Sequence, residues 1–392
     1  MSVLSFNEYD IICFSHLRWD FVFQRPQHLL SRFARKHKVL FVEEPIFHDG
    51  EAEFVIKQRR SGVIVVTPHL ANGTAAGAAE PNLKKSLEEV LHSQSVSHFV
   101  SWYYTPMMLG WSEHLKPLAV VYDCMDELSA FKNAPPGMRL REAELLGMAD
   151  IVFTGGQSLY EAKRDLHEAV YCFPSSIDVD HFSRALTENQ EPDDQAGIPH
   201  PRIGFFGVID ERTDLDLLSQ IANLRPDWHF VMIGPVVKID ENDLPRSANI
   251  HYLGGKSYDD LPGYIAGWDV AMMPFAMNDS TRFISPTKTP EYLAAGRAVV
   301  STPVRDVVRL YGETGLVHIA DTPEDFVRAI NSILNGDIEV HRRKAGEFLE
   351  TMSWEKTYVS MSELIDEAVA SNSREEAFGA KDFILTNELR LT

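Results

Sequence analysis

Short apolar runs rich in β-branched residues alternate with helical patterns along most of this chain. The runs are continuous, as in Ile11-Ile-Cys-Phe14, which is typical of parallel strands covered on both faces. In the first half we predict strands at 9–15, 38–42, 62–67, 98–102, 118–122, 151–154 and 170–173. Helical patterns near 25–36, 83–93, 137–148 and 157–167 separate them. This alternation of strand and helix predicts a doubly wound sheet.

A polar, acidic, proline-containing segment at 186–201 interrupts the pattern and is typical of an exposed connection between domains. Beyond it we predict strands at 202–207, 229–233, 250–252, 269–274, 298–301 and 316–319, with helices near 214–223, 258–266, 289–295, 323–334 and 339–350. The sequence therefore predicts an α/β protein with two doubly wound, Rossmann-like domains facing a cleft. Their expected bounds are 1–185 and 202–353, followed by a helix over 354–372 and a tail over 373–392.

Size and charge narrow the possible functions. The chain has 392 residues, enough for two domains, and a net charge of −20, which argues against general nucleic-acid binding. Cys13, Cys124 and Cys172 show no CxxC spacing and predict free thiols in a reducing compartment. We find neither a signal-peptide pattern nor an apolar run of roughly 18 residues, and we expect a cytoplasmic location.

Residues 18–38 are a basic exception to this acidity, with Arg18, Arg25, Arg32, Arg35, Lys36 and Lys38 against the single acid Asp20. One interpretation is a core-packed helix with a solvated basic face. The other is attraction to an anionic membrane surface or to a phosphorylated ligand. The sequence leaves both open.

The segment Ser285-Pro-Thr-Lys-Thr-Pro-Glu-Tyr-Leu-Ala-Ala-Gly296 predicts a helix start that suits a phosphate. Either Ser285 or Thr289 can cap it, and we favour Thr289 because Pro290 would otherwise lie inside the helix. In both cases the amides of Thr287 and Lys288 lie near the helix start. Lys288 adds a full charge, and Glu291 could accept hydrogen bonds from a sugar diol. The alternative is an ordinary capped surface helix.

Glycines and one arginine follow other strands of the second half. Gly207 ends a predicted strand and permits close approach of the backbone, and Gly234 does so after the next strand. Arg212, in the loop after Gly207, could form a bidentate contact with a phosphate or could pair with a neighbouring acid. The backbone at 251–255 could present amides to a base. Four such features in one domain favour a ligand site at the strand ends.

These motifs together resemble the second domain of GT-B-fold glycosyltransferases, in particular the family-four-like retaining enzymes that use nucleotide-diphospho-sugars. The matching pieces are Gly204-Phe-Phe-Gly207 with Arg212, Gly234, His251-Tyr-Leu-Gly254 and 285–296. Ser353-Trp-Glu-Lys-Thr-Tyr358 is similar to the start of their last helix, which crosses back to the first domain. Tyr122-Asp-Cys-Met-Asp126, 149–156 and 15–28 resemble a bacterial subgroup linked to surface polysaccharide synthesis.

The resemblance implies roles at matching positions. Glu291 binds the ribose hydroxyls; Arg212, Lys288 and the amides at Thr287 and Lys288 hold the diphosphate. The remaining donor-site residues it implies are Gly207, Tyr252, Leu253 and Gly254, the last three beside the base, together with Ser285. Two departures stand out: Phe283 occupies a position where the family often has an acid that contacts the donor sugar, and no lysine follows Arg212 closely.

Breaking a sugar–diphosphate bond leaves negative charge on the leaving group, which fixed cations stabilise. We expect Arg212 and Lys288 to supply this catalytic stabilisation without a metal. The D-x-D patterns at 178–180 and 214–216 more readily predict a loop and a helix start than a metal site. The chain is therefore expected to need no cofactor beyond the nucleotide-sugar co-substrate.

On the acceptor side, polar residues follow the first and fifth predicted strands. The candidates are His16, Asp20, Asp123 and Asp126, of which we favour Asp126 and His16 as catalytic groups that deprotonate an acceptor hydroxyl. Helix capping is the alternative role for Asp123 and Asp126. Trp102-Tyr-Tyr104 could stack on a sugar or lie in the core. Asp279 and Arg282 precede the phosphate motif and could meet the donor sugar.

The leading hypothesis is transfer of a sugar from a nucleotide-diphosphate donor to a glycan or lipid-linked acceptor, in cell-surface polysaccharide synthesis. Two alternatives remain, a nucleotide-sugar epimerase of the same form and a non-catalytic nucleotide-sugar binder. Besides the donor and the acceptor, we expect peripheral contact with an anionic membrane surface through residues 18–38. We expect no nucleic-acid partner.

Overall fold

A computed structural model describes residues 9–74, 76–188 and 190–388. Within these ranges, the side chains of all residues except 76–78 and 375–388 are described. The N-terminal sheet contains nine described strands in the order β3-β5-β2-β1-β6-β7-β8-β9, with β4 antiparallel to β5 and every other pair parallel. These strands are β1 Asp10–Ser15, β2 Val39–Glu43, β3 Ile46–His48, β4 Glu53–Gln58, β5 Ile64–Ala71, β6 Phe99–Tyr103, β7 Ala119–Cys124, β8 Ile151–Thr154 and β9 Val170–Cys172.

The C-terminal sheet has six described strands, all parallel, in the order β12-β11-β10-β13-β14-β15. They are β10 Arg202–Phe206, β11 His229–Ile233, β12 Ile250–Gly254, β13 Val270–Met273, β14 Val299–Ser301 and β15 Val317–Ile319. The chain order reverses between β10 and β13, which places a switch point at the carboxyl end of β10.

The helices connect and cover these strands. They are α1 Arg25–Phe33, α2 Ala76–Ser93, α3 Leu109–Ser112, α4 Met138–Met148, α5 Gln157–Lys163, α6 Val179–Phe182, α7 Asp193–Ala196, α8 Leu215–Leu224, α9 Leu261–Ala266, α10 Lys288–Ala294, α11 Arg305–Val307, α12 Pro323–Leu334, α13 Ile338–Leu349 and α14 Trp354–Glu388. No helix within the described ranges is long and apolar enough to cross a bilayer.

The predicted α/β class with two doubly wound sheets is confirmed, and every strand predicted from an apolar run is present. The sequence missed β3 and β4. Both lie at the edge of the N-terminal sheet and have largely exposed or half-buried side chains, and their apolar runs are short, two residues in β3 and three in β4.

Each sheet is covered on both faces. Ile11 and Cys13 of β1 point into one N-terminal core cluster, and Ile12 and Phe14 point into another on the opposite face. The first of these clusters also contains residues of α14, namely Trp354, Tyr358, Met361, Ile365 and Val369. The last helix therefore packs on the N-terminal domain, and it extends past the predicted end near residue 372 to Glu388.

The connecting segment 186–201 is less exposed than its composition predicts. Gln195, in α7, is buried; its Oε1 accepts from Trp268 Nε1 at 2.9 Å and its Nε2 donates to the Tyr264 carbonyl at 2.9 Å. A buried indole N–H needs an acceptor, and this glutamine supplies one. The segment is thus partly built into the C-terminal domain.

The two domains meet along a seam beside α5. Asp306 of α11 is 1 % exposed and accepts from the Ser158 amide at 3.0 Å, while Arg309 pairs with Glu161 at 2.9 Å. Phe283 packs against the N-terminal core cluster that contains Cys124 and Leu146. The seam fixes the loop before α10 against the N-terminal domain.

Candidate active site

A cavity of about 690 Å³ lies between the domains at the carboxyl ends of β10 and β11, and we call it the cleft cavity. The C-terminal domain contributes Gly207, Arg212 and Gly234 from the strand ends, together with Thr287, Lys288 and Glu291 from the start of α10. The N-terminal domain contributes the loop 19–24, which follows β1. The position is the one expected for a ligand in a doubly wound fold.

The helix that carries Lys288 and Glu291 begins one residue after Thr287, which occupies the N-cap position. The preference for Thr289 as the cap was therefore wrong. Pro290 is the third helical residue, and the amides of the first turn have no partner inside a helix, so its missing N–H loses no hydrogen bond. The first such bond runs from the Glu291 amide to the Thr287 carbonyl at 3.4 Å.

Two glycines make room for this arrangement. Gly207 has φ +138°, and a Cβ there would lie 2.1 Å from Cε of Lys288. Gly234 has φ +146°, and a Cβ there would lie 1.8 Å from the Gly207 carbonyl oxygen. A side chain at position 207 would displace the Lys288 side chain, and one at position 234 would collide with backbone, so the observed positions of the two strand ends and of Lys288 require glycine at both.

Lys288 and Glu291 face the cleft cavity with unsatisfied charge. Glu291 is 6 % exposed and its Oε2 has no hydrogen-bond partner among the described residues. Burial raises the pKa of Glu291 to about 7, although Lys288 nearby lowers it. Burial, assisted by Arg212, lowers the pKa of Lys288 to about 8. Burying a carboxylate without a partner costs free energy of folding, so such a group indicates a functional site.

Arg212 is held by an acid in its own loop. Its Nε donates to Asp210 Oδ1 at 3.0 Å and its Nη2 to Oδ2 at 2.7 Å, and Asp210 is 3 % exposed. The pairing considered from sequence is thus present. Nη1 makes no hydrogen bond within the part of the chain that the structure describes, so the guanidinium is both fixed in direction and able to meet a further anion.

Asp126 and His16 approach the cleft from the N-terminal domain without lining its cavity. Burial raises the pKa of Asp126 to about 6, against the opposing effects of Arg212 and Lys288. Burial also lowers the pKa of His16 to about 4, and its Nδ1 has no partner among the described residues. The structure therefore brings Asp126 close to the two predicted catalytic cations, and leaves His16 neutral at physiological pH.

Other predicted site residues lie away from the cavity lining. Tyr252 donates its hydroxyl to the Pro245 carbonyl at 3.2 Å, and Leu253 packs against the C-terminal core. Gly254 accepts from the Gly234 amide at 2.9 Å, one residue before the lining begins at Gly255. Ser285 lies at the seam, where a Cβ on Gly156 would approach its Cβ to 2.7 Å. None of these four residues lines the cavity, although Gly254 adjoins two residues that do.

Several acidic and aromatic candidates have structural partners. Asp123 is fully buried and pairs with Arg25 at 2.9 Å, and Asp20 pairs with Arg59. Trp102, Tyr103 and Tyr104 are core residues at 2 % exposure or less. In the D-x-D patterns, Asp178 accepts from the His181 amide and Asp214 from the Leu217 amide, as helix caps do. Asp279 and Arg282 line a different cavity.

The sequence did not single out the aromatic wall of the cleft cavity. Tyr258 is stacked between Phe23, at a ring distance of 4.3 Å, and His181, at 4.1 Å, and its hydroxyl is buried without a partner in the described chain. Phe21 lines the same cavity and is 54 % exposed. The sequence signal that could have found this wall is Trp19-Asp-Phe-Val-Phe23, which places three aromatic residues in a loop after a strand. A group of apolar side chains at the surface indicates an interaction site.

The basic stretch 18–38 is mostly engaged within the protein. Arg18 pairs with Glu43 at 3.2 Å, Arg25 with Asp123, and both Arg32 and Arg35 with Glu355 of α14. Lys38 donates to the Gln94 carbonyl at 2.6 Å. The interpretation of a core-packed helix is closer to this arrangement, because five of the six cations have protein partners.

A protein-family model matches most of the C-terminal domain. Residues 200–336 match the model described as glycosyl transferases group 1. The chain is 26 % identical over 256 residues to TuaH of Bacillus subtilis strain 168, provisionally named a teichuronic acid biosynthesis glycosyltransferase. That alignment covers 60 % of this chain and 64 % of the relative, so it spans less than two thirds of the relative's length.

Solved structures with the same architecture align over nearly the whole chain. Sucrose-phosphate synthase of Thermosynechococcus elongatus has a TM-score of 0.69 at 12 % identity, covering 93 % of this chain and 100 % of that one. Anabaena HepE, solved with UDP and glucose, has a TM-score of 0.65 at 13 % identity, covering 91 % and 99 %. The structure described as trehalose-6-phosphate from E. coli, bound with UDP-2-fluoro glucose, has a TM-score of 0.65 at 11 % identity. The alignment covers 90 % of this chain and 98 % of that one. At these identities the likeness establishes the fold.

Proposed function

We propose that this chain, a GT-B-fold protein whose C-terminal domain belongs to the group 1 glycosyl transferases, transfers a sugar from a nucleotide-diphosphate donor to a glycan or lipid-linked acceptor. The observation that carries the proposal is the pair Lys288 and Glu291, a cation and a carboxylate that both line the cleft cavity, with Glu291 Oε2 buried and without a hydrogen-bond partner among the described residues. A diphosphate and a ribose diol supply the partners that these two groups lack.

The geometry supports a set of proposed donor contacts. Lys288 lies in the wall of the cavity beside Arg212, which offers its free Nη1 while Asp210 holds the other nitrogens. A diphosphate between them meets two fixed cations, of which Arg212 also pairs with Asp210. Glu291 accepts from the ribose hydroxyls, and Tyr258, whose hydroxyl is buried without a partner among the described residues, lines the same cavity. We place the nucleoside against the aromatic wall of Tyr258 and Phe21.

Catalysis then needs stabilisation of the leaving group and removal of one proton. As the bond between the anomeric carbon and the phosphate oxygen breaks, negative charge collects on the diphosphate, where Lys288 and Arg212 stabilise it. The acceptor oxygen bonds to the anomeric carbon, and its proton passes to the Asp126 carboxylate. A pKa near 6 keeps Asp126 mostly ionised at neutral pH and still basic enough for this role. No metal is part of the proposal.

A panel of nucleotide-diphospho-sugars, screened by thermal shift and then by calorimetry, tests donor binding. Lys288→Ala and Glu291→Ala should each weaken nucleotide diphosphate binding by at least about tenfold, which corresponds to about 1.4 kcal/mol. Lys344→Ala and Glu347→Ala, two exposed positions on α13, are charge-matched controls that should bind normally. Unchanged affinity in both site variants would remove the proposed site.

A non-catalytic nucleotide-sugar binder is the second candidate. This candidate is favoured by Phe283, which packs against the N-terminal core cluster. Phe283 occupies the position where the resembling family often has an acid that contacts the donor sugar, so that acid is missing here. Donor binding without hydrolysis or transfer in a broad acceptor screen would support the binder. Product analysis with and without acceptor also separates transfer from epimerisation, because an epimerase converts the donor without any acceptor.

Peripheral membrane contact through 18–38 and a cytoplasmic location remain proposals. The pairing of Arg18, Arg25, Arg32 and Arg35 with acidic side chains leaves Lys36 as the cation of this stretch that has no described partner. Flotation with anionic vesicles at low and moderate salt tests the contact. Absence of binding at low salt would rule it out, because screening is weakest there.

A further inference from the structure

Two buried glycines, Gly155 and Gly156, join the end of β8 to the start of α5, and we call them the glycine pair. On one side, Gly155 packs against the loop after β7, which carries Asp126. On the other side, Gly156 packs against Ser285 and Asp306 of the C-terminal domain. The glycine pair therefore lies between the proposed proton acceptor and the loop that leads to the donor cation of α10.

The contact of Gly155 is with backbone atoms and leaves no room for a side chain. A Cβ on Gly155 would lie 2.5 Å from the Met125 carbonyl oxygen and 2.8 Å from the Met125 Cα. The Gly155 amide also donates to the Cys124 carbonyl at 2.9 Å. Backbone atoms cannot rotate away as a side chain can, so this contact fixes the position of the residue that precedes Asp126.

Asp126 depends on its backbone because no side chain holds its carboxylate. Its hydrogen bonds within the described part of the chain run to its carbonyl oxygen, from Cys124 Sγ at 3.6 Å and from the Leu128 amide at 3.1 Å. Arg212 and Lys288 are near enough to lower its pKa, although neither forms an ion pair with it in the described chain. The loop that carries Asp126 therefore sets the distance between its carboxylate and these cations.

The second glycine fits just as closely against the C-terminal domain. A Cβ on Gly156 would lie 2.7 Å from the Ser285 Cβ and would also collide with the Asp306 carboxylate. Gly156 is the N-cap residue of α5 and has no side chain with which to cap it. Asp306 takes this role from the other domain, since it accepts from the Ser158 amide at 3.0 Å and from the Ser158 hydroxyl. Ser285 precedes Lys288 by three residues.

We infer that the glycine pair is a positioning element, which holds Asp126 at a fixed distance from the donor cations across the domain seam. A methyl group at position 155 would displace the Met125 backbone by about 1 Å before an ordinary contact of about 3.5 Å is restored, and Asp126 would move with it. The spacing itself is independent of any reaction, whereas its role in proton transfer rests on the proposed function.

Carboxyl NMR of the full chain, with isotope label at the aspartate carboxyl carbons, tests the position of Asp126 without an assay of transfer. Its signal is assigned by its loss in Asp126→Asn. The titration midpoint should move by at least about 0.5 unit in Gly155→Ala, because the burial of the carboxylate and its distances to the cations change. Gly147→Ala adds the same methyl group in α4, where nothing lies within 4 Å of the Cβ direction, and should leave the midpoint unchanged.

Kinetics gives a second readout with the donor that the nucleotide-sugar panel identifies. Gly155→Ala should lower kcat roughly 100-fold, the scale for a reacting group misplaced by about 1 Å. The donor KM should change less than about twofold, because Gly155 does not line the cleft cavity. Loss of donor binding together with kcat would indicate general damage to the fold and would overturn the positioning role.

Titration of uridine and guanosine diphosphate, run in parallel, separates this inference from the proposed function. A midpoint that moves in Gly155→Ala, without binding of either nucleotide to the wild type, removes the proposed function and keeps the positioning role. An unchanged midpoint in folded Gly155→Ala overturns the positioning role even where nucleotide binds.

A second variant decides the matter should Gly155→Ala not fold. Ser158→Ala removes the hydroxyl bond to Asp306, adds no atom and changes no charge, so it loosens the start of α5 from the C-terminal domain. The Asp126 midpoint should move in this variant as well. An unchanged midpoint in Ser158→Ala would then overturn the inference.

Discussion

The Lys288 side chain passes through the space where Gly207 would carry a side chain, since a Cβ on Gly207 would lie 2.1 Å from Lys288 Cε. The glycine at the end of β10 is thus a condition for the position of the lysine that starts α10. This contact couples two motifs that are 81 residues apart in the chain.

Replacing Gly207 should damage the nucleotide site through this contact. Gly207→Ala drives a methyl group into Lys288 and adds backbone strain of about 1–3 kcal/mol at φ +138°. We expect nucleotide diphosphate affinity, measured by calorimetry, to fall at least about tenfold. Gly315→Ala is the control, because Gly315 has φ +73° but no atom near its Cβ direction. Equal losses of affinity in both variants would show that the Lys288 contact is irrelevant.

Nucleotide affinity should depend on pH with two limbs. Glu291 has a raised pKa of about 7, so it gains a proton and loses acceptor capacity as the pH falls below that value. Lys288 has a lowered pKa of about 8, so it loses its charge as the pH rises above that value. Affinity should be greatest between these limits and fall on either side.

Single substitutions assign the two limbs. Glu291→Gln should lose the acidic limb and keep the basic one, and Lys288→Met should do the reverse, when calorimetric titrations are repeated from about pH 5.5 to 9.5. A flat profile across this range in the wild-type protein contradicts the assignment. Phosphate ionisation of the nucleotide is common to all variants and cancels in the comparison.

Removing the Tyr258 hydroxyl should affect protein stability and nucleotide binding differently. It is buried without a partner among the described residues, so Tyr258→Phe removes an unsatisfied group and should leave the melting temperature equal or higher. If the hydroxyl serves the nucleotide, the affinity should fall about five- to tenfold, as for one hydrogen bond of about 1 kcal/mol or slightly more. Phe23→Ala is the comparison, since it removes the stacked ring and keeps the hydroxyl. Full nucleotide affinity in Tyr258→Phe would exclude a role for the hydroxyl.

Gly156 tests the domain seam. It has an extended backbone that any residue adopts, but a Cβ there would lie 2.4 Å from Asp306 Oδ2 of the other domain. Gly156→Ala should therefore open the seam, lower stability by about 1–3 kcal/mol and raise the radius of gyration in small-angle scattering. Gly147→Ala, inside α4 with nothing near its Cβ direction, should stabilise by about 0.5–1 kcal/mol. Unchanged scattering and stability in Gly156→Ala would mean that the domains do not meet as described.

The buried Arg25–Asp123 pair predicts a strong, non-additive effect on folding. Arg25 is 1 % exposed and Asp123 is fully buried, so Arg25→Met leaves an uncompensated carboxylate and should cost about 3–5 kcal/mol. Arg25→Met/Asp123→Asn should recover much of this loss in denaturant unfolding. A double variant as unstable as the sum of its single changes would show that the two residues are not coupled.

Much of the fold was predictable from local pattern. Continuous apolar runs predicted the buried parallel strands, as at 151–154 and 229–233, where predicted and observed bounds coincide. The edge strands β3 and β4 were missed because their apolar runs are short and their side chains are exposed or half-buried. Gly207 and Gly234 could be singled out from the sequence because each follows a predicted strand. Both have positive φ, a conformation that glycine adopts readily.

The sequence by itself determined where most of the strands and helices lie, because hydrophobic periodicity and backbone preference are properties of neighbouring residues. Only the tertiary structure decided the distant partners of the charged side chains, as for Arg25 and Asp123, which meet across 98 residues. It also placed loop 19–24 over the cleft cavity and Phe283 in the opposite domain. Pairing and burial depend on which distant segments share a low-dielectric space, and no local pattern encodes that proximity.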